Sequence, residues 1–211
     1  MILAGDVGGT KTNLALFNDE DAEFRTPVAE GSFPSRQFAS FERILEGFLA
    51  QHSCTVRSAA FGIAGPVVDG TVVTPNLPWR VSESGLGALL GTERVRIVND
   101  LVANATGISM LGPAQMHMLN EGVPTNQGNA AVISAGTGCG MTGLVYIDGH
   151  AVPVPTEGGH IDFAPRNAVE FGLLEYLRQR FGRVSYDRVV SGPGIHHIYM
   201  YFRDADPRAE Q

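Results

Sequence analysis

The chain has 211 residues, of which 44% are hydrophobic and 18% charged, so it is long enough to bury a core in one or two domains. Its formal net charge of −7 argues against a broad nucleic-acid surface, because phosphate-backbone binding depends on clustered lysine and arginine. No stretch is long and apolar enough to cross a membrane, and the N-terminus lacks the basic region of a signal peptide, so we expect a cytoplasmic protein with a small-molecule partner.

The first half of the chain predicts an α/β domain. Apolar runs predict strands at residues 1–7 and 12–17, followed by an extended stretch near 23–33, and large apolar residues at helical spacing predict a helix over 37–52. The later elements are a strand at 58–64, a helix from about Ser82, a strand at 95–98 and a helix at about 101–110. Three strands followed by alternating helices and strands are the layout of a ribonuclease-H-like domain.

A polar segment with glycine and proline at residues 111–128 predicts a hinge between a small α/β domain at 1–110 and a second domain at 111–211. In the second domain the pattern starts again, with strands near 130–135, 141–147 and 150–154 and helices at 168–181 and 194–202. No later parallel strand follows, so we expect an incomplete second domain. Either another chain covers its exposed sheet, by self-association or by completing the domain, or the chain is a truncated product.

Two glycine-rich turns of the same design open the two halves, and each lies between two predicted strands. They are Gly5-Asp6-Val7-Gly8-Gly9-Thr10 and Ser134-Ala135-Gly136-Thr137-Gly138. Glycine lets backbone N–H groups approach phosphate oxygens, and Thr10 and Thr137 add hydroxyl donors, so the pair predicts a clamp for nucleotide phosphates. Asp6, inside the first turn, would hold a hydrated Mg²⁺ ion. A pair of ordinary tight hairpins is the alternative.

The predicted strand at 95–98 ends in Asn99 and Asp100. Ligands of open α/β sheets gather beyond the carboxyl ends of strands, so Asp100 is placed to accept the proton of a substrate hydroxyl during phosphoryl transfer. The alternative is that Asp100 caps the following helix. Both roles are compatible, because one carboxylate oxygen can cap while the other faces the substrate.

A second polar cluster is Glu157-Gly158-Gly159-His160, in which two glycines let an acid and an imidazole converge on one small polar ligand such as a sugar. A metal site with Asp162 and His150 is the alternative, but neither Cys54 nor Cys139 stands at metal-ligand or disulfide spacing. The adjacent residues His196 and His197 point in different directions on a helix, and both are expected to be solvated or capping residues.

Six segments together resemble the bacterial glucokinase family, the branch of the actin-like ATPase and hexokinase superfamily without the zinc-binding cysteines of ROK kinases. The segments are the first glycine turn, Asn76 with Pro78-Trp79, Val98-Asn99-Asp100, Ala135-Gly136-Thr137-Gly138, Glu157-Gly158-Gly159-His160-Ile161-Asp162-Phe163-Ala164-Pro165 and Arg188-Val189-Val190-Ser191-Gly192-Pro193-Gly194. The resemblance implies transfer of the ATP γ-phosphoryl group to the 6-hydroxyl of glucose or a similar hexose. It makes Asp100 the general base and both turns the site of Mg-ATP.

By the same resemblance, the sugar is held by Asn76, Asn99, Asp100, Glu157, His160 and Asp187. The family usually has glutamate at position 187, and the shorter aspartate would weaken that contact and alter sugar preference. Family members also continue for roughly another hundred residues, which include the glycine-rich turn that holds adenosine. Two alternatives to a working kinase follow: a non-catalytic sugar-binding or remnant protein, and an actin-like ATPase that acts on another hydroxyl or acid.

Overall fold

The computed structural model describes residues 1–20, 26–123 and 128–205. The chain divides into unit 1, Met1–Leu111, and unit 2, Gly112–Gln211. Among the described residues, none of the helices combines the length and the apolar character that a bilayer crossing requires.

Unit 1 is built around a five-stranded sheet with strand order β3-β2-β1-β4-β8. In chain order, its elements are β1 (Ile2–Val7), β2 (Lys11–Phe17), β3 (Ala29–Pro34), α1 (Phe41–Leu49), β4 (Ser58–Ile63), β5 (Val67–Val68), β6 (Thr71–Val73), β7 (Arg80–Ser82), α2 (Glu83–Leu90), β8 (Val95–Asn99) and α3 (Asp100–Gly107). Strands β1, β2 and β3 pair antiparallel, whereas β4 pairs parallel with β1 and with β8. This order confirms the predicted ribonuclease-H-like layout. It brings the carboxyl ends of β1, β4 and β8 to one edge of the sheet.

The core of unit 1 follows from two periodicities. Alternate residues of β1 and β2 point inward, and the apolar face of α1 covers them. The buried side chains include Leu3, Val7, Leu14, Leu16, Phe41, Ile44, Leu45, Phe48, Phe61 and Trp79. Full burial of one such large side chain contributes about 1.5–3 kcal/mol to folding. This cluster therefore stabilises the sheet, including the end at which β1, β4 and β8 finish.

Three parts of unit 1 differ from the sequence expectation. The helix predicted over 37–52 is shorter, because Ser35–Gln37 form a 3₁₀ turn and α1 begins only after Ser40. Phe38 is extended and packs edge-on against the Phe33 ring at 6.1 Å, so its helical spacing was misleading. The extended stretch near 23–33 contains β3 from Ala29 onward, while its positions 23–25 lie outside the described residues. The small antiparallel sheet β5-β6-β7 was not predicted.

Unit 2 contains a three-stranded antiparallel sheet with strand order β11-β10-β9, followed by three helices among the described residues. Its elements are β9 (Ala130–Ala135), β10 (Cys139–Ile147), β11 (His150–Pro155), α4 (Ala168–Phe181), α5 (Tyr186–Val189) and α6 (Gly192–Ala205). The predicted strands and the helix at 168–181 are confirmed, whereas α5 was not predicted. A small apolar cluster of Leu173, Leu177, Val184 and Val189 holds the helices together.

Helix α6 corrects the expectation for one of its two histidines. His196 is exposed, as expected, but His197 is buried and lies against the Phe181 ring at 5.0 Å. Its Nδ1 atom is 3.4 Å from the carbonyl oxygen of Arg188. His197 is therefore a packing residue between helices. Its burial was not predicted, because the sequence alone does not show which face of α6 packs against α4.

Candidate functional site

The first glycine turn connects β1 and β2 as an antiparallel hairpin, as predicted. The Gly8 N–H donates to the Lys11 carbonyl at 3.0 Å and closes the turn. Asp6 is not inside the turn, as the sequence suggested, because β1 extends through Val7 and Asp6 pairs with Asn13 on β2. The turn itself therefore consists of Gly8, Gly9 and Thr10, and we call it the first glycine turn from here on.

A buried hydroxyl network that the sequence did not reveal holds this turn. Ser35 Oγ donates to the Gly8 carbonyl at 2.7 Å, and the Ser35 N–H donates to the Thr10 carbonyl at 3.0 Å. Because the Ser35 hydroxyl proton is committed to Gly8, the Thr12 hydroxyl is the donor in its 2.9 Å bond to Ser35 Oγ. Thr12 and Ser35 are both 0% exposed. The alternation of Thr12 with Leu14 and Leu16 along β2 could have indicated one half of this pair.

Asp6 has the environment of a carboxylate that meets solvent. Its side chain is exposed, and Oδ2 accepts a hydrogen bond from Asn13 Nδ2 at 3.2 Å. Asn13 is itself fixed, since its Oδ1 accepts from the Ser32 hydroxyl at 2.9 Å. Within the described part of the chain, the other Asp6 oxygen has no hydrogen-bond partner. This carboxylate is suited to bind a hydrated cation through water.

Asn76 lies beside the first glycine turn. Its side chain occupies the space that a side chain at Gly9 would need, and it is exposed to solvent. Its neighbour Pro75 packs near Gly65, whose carbonyl oxygen accepts from Asn99 Nδ2 at 3.2 Å. The structure thus links Asn76 and Asn99, which stand far apart in the sequence, through the loop after β4.

Asn99, and not Asp100, caps helix α3. Asn99 has extended backbone, and its Oδ1 accepts from the N–H groups of Leu101 at 3.0 Å and Val102 at 3.3 Å. Asp100 is the first helical residue, and its Oδ1 also accepts from the Leu101 N–H at 2.9 Å. The alternative that Asp100 is the N-cap residue is therefore wrong, although its Oδ1 shares the Leu101 N–H with Asn99. Asp100 thus lies at the N-terminal end of α3, which is the positive end of the helix dipole.

Asp100 is half-buried at the edge where β8 ends, and its Oδ2 has no hydrogen-bond partner among the described residues. One oxygen is thus held by the helix end while the second remains able to accept a proton. Gly62 on β4 packs closely against Asp100 and Ala103, which fixes the distance between β4 and the first turn of α3. This geometry suits a general base that acts on a hydroxyl group.

The second glycine turn, Gly136-Thr137-Gly138, connects β9 and β10 as the predicted antiparallel hairpin. The Gly136 N–H donates to the Gly138 carbonyl at 2.8 Å, and Thr137 is exposed. The start of α6 supports the turn, because the Gly192 N–H donates to the Gly136 carbonyl at 2.8 Å. The turn thus carries the exposed Thr137 hydroxyl on a backbone that is anchored to the start of α6.

Asp187 contacts the second glycine turn. Its Oδ1 accepts a hydrogen bond from the Cys139 N–H at 2.6 Å, directly after Gly138. Burial, together with the negative charge of Asp187, raises the pKa of the Cys139 thiol above its ordinary value. Cys139 is buried and Cys54 is exposed, and both are free thiols.

Glu157 and His160 come together on a 3₁₀ turn, Gly158–His160. Glu157 Oε2 lies 3.8 Å from His160 Nε2, and the two side chains are 74% and 61% exposed. Both groups therefore face solvent and can reach one ligand. Asp162, the other acid of the segment, accepts from Arg183 Nε at 2.6 Å, which removes it from this pair. Across the residues that the structure describes, no three His, Cys, Asp or Glu side chains are arranged to hold a metal ion.

The expected site residues thus form two groups, one in each unit. Unit 1 brings together Asp6, the first glycine turn, Asn76, Asn99 and Asp100. Unit 2 brings together the second glycine turn, Asp187, Glu157 and His160. Sequence reasoning missed the residues that hold these groups in place, which are Thr12, Asn13, Ser35, Gly65 and Gly192.

Comparison with known proteins identifies relatives of this chain. The Glucokinase family profile matches residues 3–211. A glucokinase from Nostoc punctiforme is 38% identical over 213 residues, which cover 100% of this chain and 62% of that relative. A glucokinase from Cronobacter sakazakii is 35% identical and covers 98% of this chain and 63% of its own length. The chain thus spans less than two thirds of the length of these curated relatives.

A solved structure leads to the same family. The glucokinase of an Antarctic psychrotroph superposes with a TM-score of 0.79 at 29% identity, covering 97% of this chain and 64% of that one. This likeness agrees with an actin-like ATPase fold. The profile match over nearly the whole chain and the identity to several glucokinases lead to one conclusion: the chain belongs to the glucokinase family.

Proposed function

We propose that this chain carries the sugar-phosphorylating site of an ATP-dependent hexose kinase, which transfers the γ-phosphoryl group of ATP to the 6-hydroxyl of glucose. The observation that carries the proposal is the setting of Asp100 at the end of β8. One of its oxygens accepts from the Leu101 N–H and the other has no partner in the described part of the chain. Family membership supports the same reaction.

Asp100 would accept the proton of the attacking sugar hydroxyl as the new O–P bond forms. The proton passes to the free carboxylate oxygen, and the γ-phosphoryl group leaves ADP for the sugar oxygen. Asn99 supports this step by capping α3, which fixes the orientation of Asp100. General-base catalysis of this kind contributes about 10²–10⁴ in rate.

Within unit 1, the residues that would bind sugar hydroxyls are Asn76 and Asn99, and within unit 2 they are Glu157 and His160. A carboxylate accepts hydrogen bonds from hydroxyls, while amide and imidazole groups can donate as well as accept. The 3.8 Å separation of Glu157 and His160 supports their action on adjacent hydroxyls of one ring. Asp187 was also expected to contact the sugar, and its Oδ1 accepts a hydrogen bond from the Cys139 N–H.

Each glycine turn would bind phosphate oxygens of ATP through its backbone N–H groups and the hydroxyl of its threonine, Thr10 in unit 1 and Thr137 in unit 2. Val7 is buried and would contribute only through its backbone. Mg²⁺ would neutralise charge on the phosphate oxygens, and Asp6 is the residue to hold it through water, since its exposed carboxylate has one oxygen paired with Asn13 and the other free of described partners.

The test is glucose-dependent ADP formation from Mg-ATP by the purified protein and by Asp100→Asn. We expect Asp100→Asn to lower kcat by about 10²–10⁴ while glucose affinity, measured by calorimetry, changes little. Asp69→Asn is the matched control, because Asp69 is an exposed residue of the β5–β6 turn with φ of 48°, a conformation that asparagine tolerates.

The outcomes separate the alternatives. Activity that is lost in Asp100→Asn and retained in Asp69→Asn supports the kinase. Glucose binding without turnover in the unmodified protein would leave a non-catalytic sugar-binding protein. Absence of glucose binding would contradict the proposed sugar site, and turnover of another acceptor in its place would favour a related actin-like ATPase.

A further inference from the structure

Asp187 stands at the point where two functional segments of unit 2 meet. Its Oδ1 accepts from the Cys139 N–H at 2.6 Å, and the carboxylate fills the space next to Gly138 that any side chain there would need. Gly138 is therefore required for this close approach. Asp187 is half-buried, so water competes only partly for its oxygens.

The helix that carries Asp187 is also attached to the Glu157–His160 segment. The N–H of Tyr186 donates to the Ile161 carbonyl at 3.1 Å, and Asp162 pairs with Ser185 in an antiparallel bridge. Arg183 strengthens the attachment, since its Nη2 donates to the His160 carbonyl at 2.9 Å. A displacement of this helix would therefore also move the Glu157–His160 segment.

Cys139 joins the same two segments through its backbone. Its N–H is held by Asp187, while its carbonyl oxygen lies where a side chain at position 159 would stand. Only glycine fits at position 159, because the obstacle is main chain and cannot rotate away. The second glycine turn and the turn that carries Glu157 and His160 are thus packed directly against one another.

The contact between Asp187 and the Cys139 amide depends on the length of the Asp187 side chain. The aspartate carboxylate reaches the Cys139 amide and is fixed there, whereas a glutamate would carry its oxygens one methylene further. We infer that Asp187 is a positioning residue, whose Oδ1 anchors the second glycine turn through the Cys139 amide. For its kinetic consequence the inference rests on the proposed kinase function.

The test measures the amide and the two substrates separately. Hydrogen exchange of the Cys139 amide is followed by NMR in the ligand-free protein, and KM is determined for Mg-ATP and for glucose. We expect Asp187→Ala to accelerate exchange at Cys139 by about 10- to 100-fold, the factor that corresponds to a lost hydrogen bond to a charged acceptor. We expect KM for Mg-ATP to rise about tenfold and KM for glucose to change by less than about twofold.

Two further variants keep the test decisive. Asp187→Asn preserves the size and one acceptor oxygen, so it folds even if the alanine variant does not, and it should give a smaller increase in both exchange and KM for Mg-ATP. Asp187→Glu should also raise KM for Mg-ATP, whereas a sugar-binding role predicts a lower KM for glucose. Asp148→Asn is the control, because Asp148 is exposed in the β10–β11 turn with φ of 50°.

The inference is overturned if Asp187→Ala leaves Cys139 exchange unchanged, or if it weakens glucose binding while Mg-ATP is unaffected. A protein without kinase activity would contradict the proposed function only. In that case the exchange rates and the calorimetric affinity for glucose still decide whether Asp187 serves the turn or the sugar.

Discussion

The buried hydroxyl pair behind the first glycine turn makes a quantitative prediction about stability. In Ser35→Ala, the Gly8 carbonyl loses its 2.7 Å donor and the Thr12 hydroxyl loses its 2.9 Å acceptor. The Gly8 bond contributes about 1 kcal/mol, and stranding the fully buried Thr12 donor costs about 1–3 kcal/mol. We therefore expect Ser35→Ala to lower the free energy of unfolding of unit 1 by about 2–4 kcal/mol.

Removing the second hydroxyl should restore part of this loss. Thr12→Val alone is nearly isosteric and leaves the Ser35–Gly8 bond intact, so we expect a cost of about 1 kcal/mol. In the double variant no buried hydroxyl is stranded, and only the Gly8 bond is missing. The double variant should therefore be about 2–4 kcal/mol more stable than the sum of the two single effects indicates.

Trp79 provides the assay. It is the single tryptophan of the chain and is 2% exposed in the core of unit 1, so its fluorescence reports the unfolding of that unit in urea. With a denaturant slope of about 1–3 kcal/mol per molar, the loss of about 2–4 kcal/mol should lower the Ser35→Ala midpoint by at least about 0.7 M. Ser53→Ala, at an exposed serine, is the control and should not shift the midpoint.

Additive effects within about 0.5 kcal/mol in this double-mutant cycle would refute the reasoning, because they would show that the two hydroxyls do not interact in solution. A Ser35→Ala variant as stable as the Ser53→Ala control would also refute it.

Two further predictions concern unit 2. Gly159→Ala should destabilise this unit by about 3 kcal/mol or more, because the new Cβ would meet the Cys139 carbonyl, and hydrogen exchange in β10 should become faster. Gly122→Ala is the control, since a Cβ at that position would have no heavy atom within 4 Å. Equal exchange rates in the two variants would contradict the packing of Gly159 against Cys139. Cys139 should react with iodoacetamide only at higher pH in the folded than in the urea-unfolded protein, because burial and the Asp187 charge raise its thiol pKa. The protonated thiol is favoured in the folded state, so stability should fall as pH rises through the thiol range, and Asp187→Asn should shift the reactive pH partly downward.

The regular elements could be predicted because each has a clear hydrophobic period. The apolar run at 130–135 and the apolar positions of 168–181 correspond to β9 and α4. Helix α1 was predicted too long because Phe38 satisfied the helical spacing by chance while packing from an extended segment. Strands β5 to β7 have only two or three residues each, which is too short for a period to show.

The residues of the candidate site also differ in whether the sequence could predict them. Motif residues such as Asp100 and Glu157 could be found because their types and neighbours indicate chemistry. The residues that position them could not, since their partners are distant in sequence: Ser35 is 27 residues from Gly8, and Asp187 is 48 residues from Cys139. The capping role illustrates the limit, because Asn99 and Asp100 are both suitable caps and only the backbone conformation at Asn99 decides between them.

The distant anchoring of both glycine turns has a consequence for protein engineering. A short glycine-rich hairpin transplanted into another scaffold would lack the serine, the carboxylate and the helix start that hold these turns in their present shape. Such a graft would have to order its own backbone on binding, with a corresponding loss of affinity. A successful transfer must therefore carry the anchors at positions 35, 187 and 192 together with the hairpins.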